Sequence, residues 1–300
     1  DVIHALCTLY REGGDLGAAL PYARSLATRG EAFAHFLNAG IVLSNLEFYE
    51  EAFGPLSRAY EAEPDDALTV SELRWCAGNL AAFDLASPLQ AKLEESYAAG
   101  GTRDHVWENA FKAVINSRSE AYTRDAALRT AAHLFPAAVE ARPEPRRDIE
   151  RIRVGYVSGD FHNHATMSLF AGILEAHDRQ AFEIYGIGHT PAEQRTGEMR
   201  GRFLDSVDHY VDILGLDDDQ AAARIRELGI DILVDLKGYT QGTRLGIFCR
   251  RPAPLQVSYL GYPGSVAGAG IDYALTDAIV TPEDSAPFYE EELLRLSPCY

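Results

Sequence analysis

The chain has 300 residues, of which 47% are hydrophobic and 24% are charged, and its formal net charge is −18. This composition is typical of a folded protein with room for two hydrophobic cores, which excludes a wholly disordered chain. Residues 1–150 carry 14 basic and 23 acidic side chains, and residues 151–300 carry 13 and 22. Neither half has the basic stripe that a nucleic-acid partner requires.

The cysteines and the apolar segments indicate the cellular setting. Four scattered cysteines without a Cys-x-x-Cys pair predict neither a zinc knuckle nor a redox motif, and they favour the reducing cytoplasm. No apolar run has membrane-spanning length, and the first residues lack the pattern of a secretory signal, so we expect no membrane partner. Because the sequence begins at Asp1 and stops in a strand-like stretch at Tyr300, we expect it to be a piece of a longer protein.

Residues 1–135 show a helical pattern in which alanine and leucine recur at three- and four-residue spacings. Within it, residues 33–66 match the 34-residue tetratricopeptide template. The matching positions are Phe36, Ala39, Gly40, Leu43, Tyr49, Ala52, Ala59 and the helix-ending Pro64. Weaker copies lie before it, around Tyr10 to Ala19, and after it, around Trp75 to Ala86. The sequence predicts helical hairpins whose groove takes extended peptides, although simple all-α packing is an alternative.

The second half has a different pattern. Residues 136–150 contain three prolines and alternating charges, which predicts a linker. Residues 151–300 then alternate strand-like and helical runs, which favours a Rossmann-like parallel sheet covered by helices. We expect six strands, at Ile152–Ser158, Phe182–Gly188, Ser206–Val211, Ile230–Leu236, Leu255–Leu260 and Ile271–Thr276. The helices are expected at Thr166–His177, Glu193–Leu204 and Asp219–Leu228. The absence of a Gly-x-Gly-x-x-Gly motif argues against a dinucleotide enzyme.

Three loops follow predicted strands at the end of the sheet where ligands collect. The first loop is polar, and its candidate binding residues are Asp160, Asn163 and Thr166. His164 precedes a helix whose N-terminal dipole favours a neutral imidazole, so we expect it to act as a base or hydrogen-bonding group. Asp160, His162 and His164 alternate as three metal ligands would, but no second cluster completes a coordination shell, so we expect no metal.

The second and third loops add further candidates. After the strand at Ile230–Leu236, glycines allow close approach of the backbone to a ligand and polar side chains supply donors, at Gly238, Tyr239, Thr240 and Arg244. A tight turn that Arg244 closes onto a carboxylate is the alternative. After the strand at Leu255–Leu260, a Pro-Gly turn exposes candidate residues at Tyr262, Pro263, Gly264 and Ser265.

Three segments together resemble a known family. They are RVGYVSGDFHNHATMSL, GIDILVDLKGYTQGTR and RRPAPLQVSYLGYPGSVAGAGIDYALTDAIVTPED. In order and spacing they resemble the N-terminal catalytic lobe of O-linked N-acetylglucosamine transferases and their SPINDLY-type relatives. That family also joins tetratricopeptide hairpins to its catalytic unit. The resemblance covers residues 151–300 and implies the N-terminal half of a GT-B fold, with residues 1–135 as the repeat domain and 136–150 as the linker.

The resemblance also implies roles for single residues. His164 occupies the place of the family's active-site histidine in an Asn-His-Pro-Thr segment, where this chain has Ala165 instead of proline. Ala223 stands where some members have a proposed catalytic aspartate, which leaves the general base unassigned. Ser265 replaces the last threonine of a Gly-Tyr-Pro-Gly-Thr segment and keeps the hydroxyl.

The expected activity is inverting, metal-independent transfer of N-acetylglucosamine from UDP-GlcNAc to Ser or Thr of protein acceptors, with the sugar nucleotide as co-substrate and no cofactor. The family holds its donor mainly in the C-terminal lobe, which this chain lacks, so we expect the chain alone to be inactive. Three alternatives stay open: a SPINDLY-type fucose transferase, a non-enzymatic peptide-binding scaffold, and another GT-B enzyme such as a sugar-nucleotide epimerase. The fused repeats argue against the epimerase.

Overall fold

A computed structural model describes residues 2–99, 108–136, 139–147, 150–297 and 299. The chain divides into two compact units, Asp1–Tyr122 and Thr123–Tyr300. Described residues of the expected linker are held to the second unit, where the Glu140 amide donates to the Cys249 carbonyl at 2.8 Å and Arg146 pairs with Asp231. The domain limits expected from the sequence stay a prediction.

The first unit consists of helical hairpins. Its helices are α1 (Val2–Glu12), α2 (Leu16–Arg29), α3 (Phe33–Asn45), α4 (Tyr49–Ala62), α5 (Ala67–Asn79), α6 (Phe83–Ala98) and α7 (Ala110–Asn116), and α8 (Glu120–Leu134) follows. The repeat expected at residues 33–66 is the α3–α4 hairpin. Its small residues permit close packing, because a Cβ on Gly40 would lie 2.4 Å from the Leu56 side chain. Ala52 and Ala59 are fully buried in the same hairpin.

The second unit is built on a seven-stranded parallel sheet with the order β3-β2-β1-β4-β5-β6-β7. The strands are β1 (Ile152–Ser158), β2 (Phe182–Gly188), β3 (His209–Asp212), β4 (Ile232–Asp235), β5 (Leu255–Tyr259), β6 (Tyr273–Asp277) and β7 (Glu292–Leu296). The helices between them are α9 (Ala165–Ala176), α10 (Glu198–Asp205), α11 (Asp218–Leu228) and α12 (Leu245–Cys249). The expected Rossmann-like architecture is therefore confirmed.

Helix α9 covers the centre of the sheet and fixes the position of the loop before it. Its apolar residues Met167, Phe170 and Leu174 are fully buried against β1, where the Tyr156 and Phe170 rings meet edge to face at 4.8 Å. Burial of each such side chain contributes about 1.5–3 kcal/mol.

Three expectations about the strands and helices of the second unit were wrong in detail. The sheet has seven strands rather than six, because β7 was missed: its residues alternate between exposed and half-buried at the sheet edge. The strand expected at Ser206–Val211 starts at His209, since Ser206 caps α10. The helix expected at Glu193–Leu204 starts at Glu198, because Gly197 has a φ of +92° and only a 3-10 turn precedes it.

Candidate active site

The candidate site lies at the carboxyl ends of the central strands. The chain order runs outward from β1 to β2 and β3 on one side and from β4 to β7 on the other, so the direction reverses between β1 and β4. Open parallel sheets bind ligands at such a reversal. The loops at 159–164, 236–244 and 260–265 follow β1, β4 and β5, and the structure brings all three to this end of the sheet.

His164 is the N-terminal cap of α9, and its orientation follows from that role. Its backbone is extended, and the Thr166 amide donates to its Nδ1 at 3.2 Å. The Thr166 hydroxyl lies 3.1 Å from the same nitrogen. A ring nitrogen that accepts from an N–H carries no proton, so a neutral His164 has its proton on Nε2. The side chain is 44% exposed. Nε2–H is therefore the hydrogen that the neutral imidazole can donate.

Asp160 and Lys237 form a buried ion pair next to His164. Lys237 Nζ donates to both carboxylate oxygens of Asp160, at 2.9 and 2.8 Å, and joins the loop after β1 to the loop after β4. The two side chains are only 13% and 8% exposed. Asp160 also lies 3.8 Å from His164 Nδ1. Lys237 was not among the site residues expected from the sequence.

Asp235, at the end of β4, shapes the second loop and was also missed. Its carboxylate accepts from the Gly238 amide at 2.6 Å and from the Lys237 amide at 3.3 Å. Burial raises the pKa of Asp235 to about 6, and the two amide hydrogen bonds oppose that rise. A buried carboxyl that accepts two backbone N–H groups holds a tight turn at the strand end.

The pKa of Asp235 gives a testable pH dependence. Because the folded pKa lies above the ordinary value of 3.8, the carboxyl stabilises the fold below about pH 4 and loses that contribution as the pH rises through about 6. In Asp235→Asn this part of the pH dependence should vanish, a difference of about 3 kcal/mol at 1.4 kcal/mol per pKa unit. Denaturant unfolding followed by the amide signals of β1 and β4 measures it. Parallel pH profiles for the two proteins would contradict the assignment.

The other expected residues of the second loop have structural partners. Tyr239 is buried, and its hydroxyl donates to the Ala267 carbonyl at 2.7 Å. The Thr240 hydroxyl donates to the Lys237 carbonyl at 2.9 Å. The Arg244 guanidinium contacts Asp218 Oδ1 at 2.6 Å and the Leu216 carbonyl at 2.9 Å. Arg244 therefore closes its loop onto a carboxylate of α11, as in the alternative drawn from the sequence.

The third loop is held in place by a hydrogen bond from Ser265 to Glu291. The Ser265 hydroxyl is buried and donates to Glu291 at 2.6 Å, and burial raises the pKa of that carboxyl. Tyr262 is buried with its ring 5.7 Å from the Tyr239 ring, and it packs against Gly238. Pro263 is exposed and Gly264 is half-buried, so this turn forms the rim.

The remaining loop residues differ in how far they are free to bind. Asn163 is exposed, but its Oδ1 accepts from the Met199 amide at 3.0 Å near the start of α10. Ala223 is exposed on α11.

His189, which sequence reasoning missed, follows β2 and is buried beside Gly159. Burial and the nearby Lys237 lower the pKa of His189 to about 4. Its position at a strand's carboxyl end was the available signal.

Comparisons with known proteins identify the family of this chain. The model of glycosyl transferase family 41 matches residues 121–300. The chain belongs to glycosyl transferase family 41.

Curated relatives carry O-GlcNAc transferase names. One is the probable UDP-N-acetylglucosamine–peptide N-acetylglucosaminyltransferase SEC of Arabidopsis thaliana, 39% identical over 50% of this chain and 15% of that protein. Another, from Caenorhabditis elegans, is 37% identical over 48% of this chain and 12% of its own length. The probable transferase SPINDLY of Arabidopsis thaliana is 35% identical over 51% of this chain and 17% of its own length. The matched part is thus less than a fifth of each relative.

A solved structure is similar over the whole family 41 chain. It is a mutant O-GlcNAc transferase of Thermobaculum terrenum, 25% identical, with a TM-score of 0.62. The similarity covers 100% of this chain and 57% of that one. Helical repeats followed by one half of a GT-B unit are therefore the architecture of this chain, as the resemblance implied.

No helix in the described ranges combines the length and the apolar character needed to cross a membrane. Within the same ranges, no group of three or more His, Cys, Asp or Glu side chains is placed to hold a metal ion.

Proposed function

We propose that this family 41 chain is the repeat-bearing, acceptor-side part of a protein O-glycosyltransferase that moves N-acetylglucosamine from UDP-GlcNAc to Ser or Thr. The observation that carries the proposal is His164: its imidazole is 44% exposed and caps α9 through Nδ1, which leaves the proton on Nε2, and it lies where the sheet order reverses. The names of the relatives supply the donor and the peptide acceptor.

The proposed reaction is an inverting displacement. The acceptor oxygen forms a bond to the anomeric carbon, the bond from that carbon to the diphosphate breaks, UDP leaves with the electron pair, and the hydroxyl proton passes to solvent water. With Nδ1 occupied by the Thr166 amide, His164 donates a hydrogen bond from Nε2 rather than taking up the proton there. We therefore assign His164 to aligning the acceptor hydroxyl and the reacting sugar.

Acceptor binding and location form part of the same proposal. The hairpins of the first unit would bind the acceptor protein, since stacked repeats present extended surfaces to peptides. Pro263 and Gly264 would contact the substrate at the rim, and the Thr166 amide would hold the His164 ring through Nδ1. The free thiols of Cys7, Cys76, Cys249 and Cys299 support a cytoplasmic location, where disulfides are rare.

The test uses the full-length protein that contains this chain, with an acceptor protein and either UDP-GlcNAc or GDP-fucose. We expect transfer from UDP-GlcNAc. Transfer from GDP-fucose alone would favour the SPINDLY-type alternative, and binding of acceptor without transfer from either donor would favour a scaffold.

Residues 1–300 alone should transfer no sugar, because the C-terminal half of a GT-B unit holds the donor. Incubation of the purified chain with radiolabelled UDP-GlcNAc and the same acceptor measures this. Turnover above that of a boiled control would show that the donor site lies within these residues.

Chelation should leave transfer by the full-length protein unchanged. Asp160 is already neutralised by Lys237, and we propose that the departing diphosphate is neutralised by protein groups. Initial rates are compared with and without EDTA after dialysis. A loss of activity that Mg²⁺ or Mn²⁺ restores would overturn metal independence.

A further inference from the structure

His164 has two possible partners for its Nδ1, and the structure shows which one it uses. The Thr166 amide donates to Nδ1 at 3.2 Å. The Asp160 carboxylate, 3.8 Å from the same nitrogen, is the competitor. The two partners require opposite protonation states, because an N–H donor needs a bare Nδ1, whereas a carboxylate needs a protonated one. The choice between them decides whether Nε2 carries the donor hydrogen.

Lys237 holds the Asp160 carboxylate in an ion pair, so that it does not bind His164 Nδ1. Its ammonium group reaches both carboxylate oxygens, at 2.9 and 2.8 Å, from a side chain that is only 8% exposed. The pair is thus geometrically fixed and largely shielded from water. A carboxylate held in this way by a charge-assisted hydrogen bond to each oxygen gains little from rotating toward an imidazole.

We propose that Lys237 is a positioning residue that keeps His164 in the Nε2–H tautomer by holding the Asp160 carboxylate away from Nδ1. The proposal concerns the state of an imidazole within this chain. Only its consequence for sugar transfer rests on the proposed function.

The other charged groups around the pair do not replace Asp160. The His162 ring lies 5.6 Å from the His164 ring, and the charges that act on it are those of His164, Asp160, Lys237 and Arg200. Those acting on His189 come from Lys237, Arg244 and Asp160. Asp235, the other carboxyl near Lys237, accepts from backbone amides of its own loop. Among these groups, Asp160 is the carboxylate that can reach His164.

The tautomer can be read directly from the imidazole ¹⁵N chemical shifts of the purified 300-residue chain, at a pH where its histidines are neutral. The unchanged chain should show the Nε2–H form at His164. This measurement needs no variant, and an Nδ1–H form would overturn the proposal at once.

Two variants then test the role of Lys237. In Lys237→Met, Asp160 is released and His164 should shift to the Nδ1–H form. In the double variant Lys237→Met/Asp160→Asn, the competing carboxylate is gone and the Nε2–H form should return. Amide signals of β1 and β4 report whether each variant is folded. An unchanged His164 in folded Lys237→Met, or an altered one in the double variant, would contradict the proposal.

Activity separates this proposal from the proposed function. In the full-length protein, Lys237→Met should lower turnover about tenfold with little change in donor KM, and the added Asp160→Asn should restore part of it. If the full-length protein transfers no sugar, the proposed function fails while the ¹⁵N result still decides the role of Lys237. Equal turnover in Lys237→Met and the unchanged enzyme would show that the tautomer does not matter for transfer.

Discussion

His164→Ala in the full-length enzyme should lower turnover by about one to several orders of magnitude, the range expected when a positioned hydrogen-bonding or acid–base group is lost. Donor affinity should change little, because in the proposed function the Nε2–H serves the acceptor hydroxyl and the reacting sugar carbon rather than the nucleotide. Initial rates at saturating donor, together with donor titration by calorimetry, measure both quantities. Donor binding that weakens as much as turnover falls would contradict this role.

Two controls separate chemistry from folding. His164 also caps α9, so alanine costs about 0.5–2 kcal/mol of stability. His164→Asn supplies a side-chain oxygen that can accept from the Thr166 amide in place of Nδ1, but it removes the imidazole Nε2–H. Its turnover should therefore be as low as that of His164→Ala, although the protein is more stable. His162→Ala removes a neighbouring imidazole without a family counterpart and should be nearly silent. Equal losses in the His162 and His164 variants would show that the loop, rather than His164, matters.

The fold was predictable because its signals are local. Runs of β-branched residues predicted β1 and β2 at their observed bounds, and small residues in the 33–66 repeat predicted the α3–α4 hairpin. A further repeat signal was overlooked: Pro21, Pro55 and Pro88 recur about every 34 residues and lie inside α2, α4 and α6. Strand β7 was not predicted, because an edge strand of alternating exposure lacks the continuous apolar run of a buried parallel strand.

The sequence predicted where the candidate site lies, but it did not predict which of its side chains pair with one another. The three loops were found because each follows a strand, and polar residues after strands in a parallel sheet point to the ligand-binding end. Which side chain pairs with which depends on contacts between loops that are far apart in sequence. Asp160 and Lys237 are separated by 77 positions, and Ser265 and Glu291 by 26. Single-sequence reasoning therefore placed Ser265 and Tyr239 among ligand contacts, whereas the structure shows both bonded within the protein.

Gly238→Ala should destabilise the second unit by about 3 kcal/mol or more. Gly238 has a φ of +54°, which costs an alanine about 1–2 kcal/mol. A Cβ there would also lie 2.2 Å from the Tyr262 Cβ, a contact that forces the two loops apart and adds about 1–3 kcal/mol. The displaced loop carries Lys237, so turnover of the full-length enzyme should fall as well.

Gly242→Ala is the matched control for that prediction, because Gly242 lies four residues further along the same loop. Its φ is +75°, but the nearest atom to a Cβ there is the Lys237 Cε at 4.0 Å. Gly242→Ala should therefore show the conformational cost alone, and the difference between the variants isolates the packing of Gly238 against Tyr262. Both tryptophans, Trp75 and Trp107, precede the second unit in the sequence, so hydrogen exchange of β4 and β5 is the suitable measurement. Equal losses of protection in the two variants would show that the left-handed backbone, and not the approach of the second and third loops, accounts for the effect.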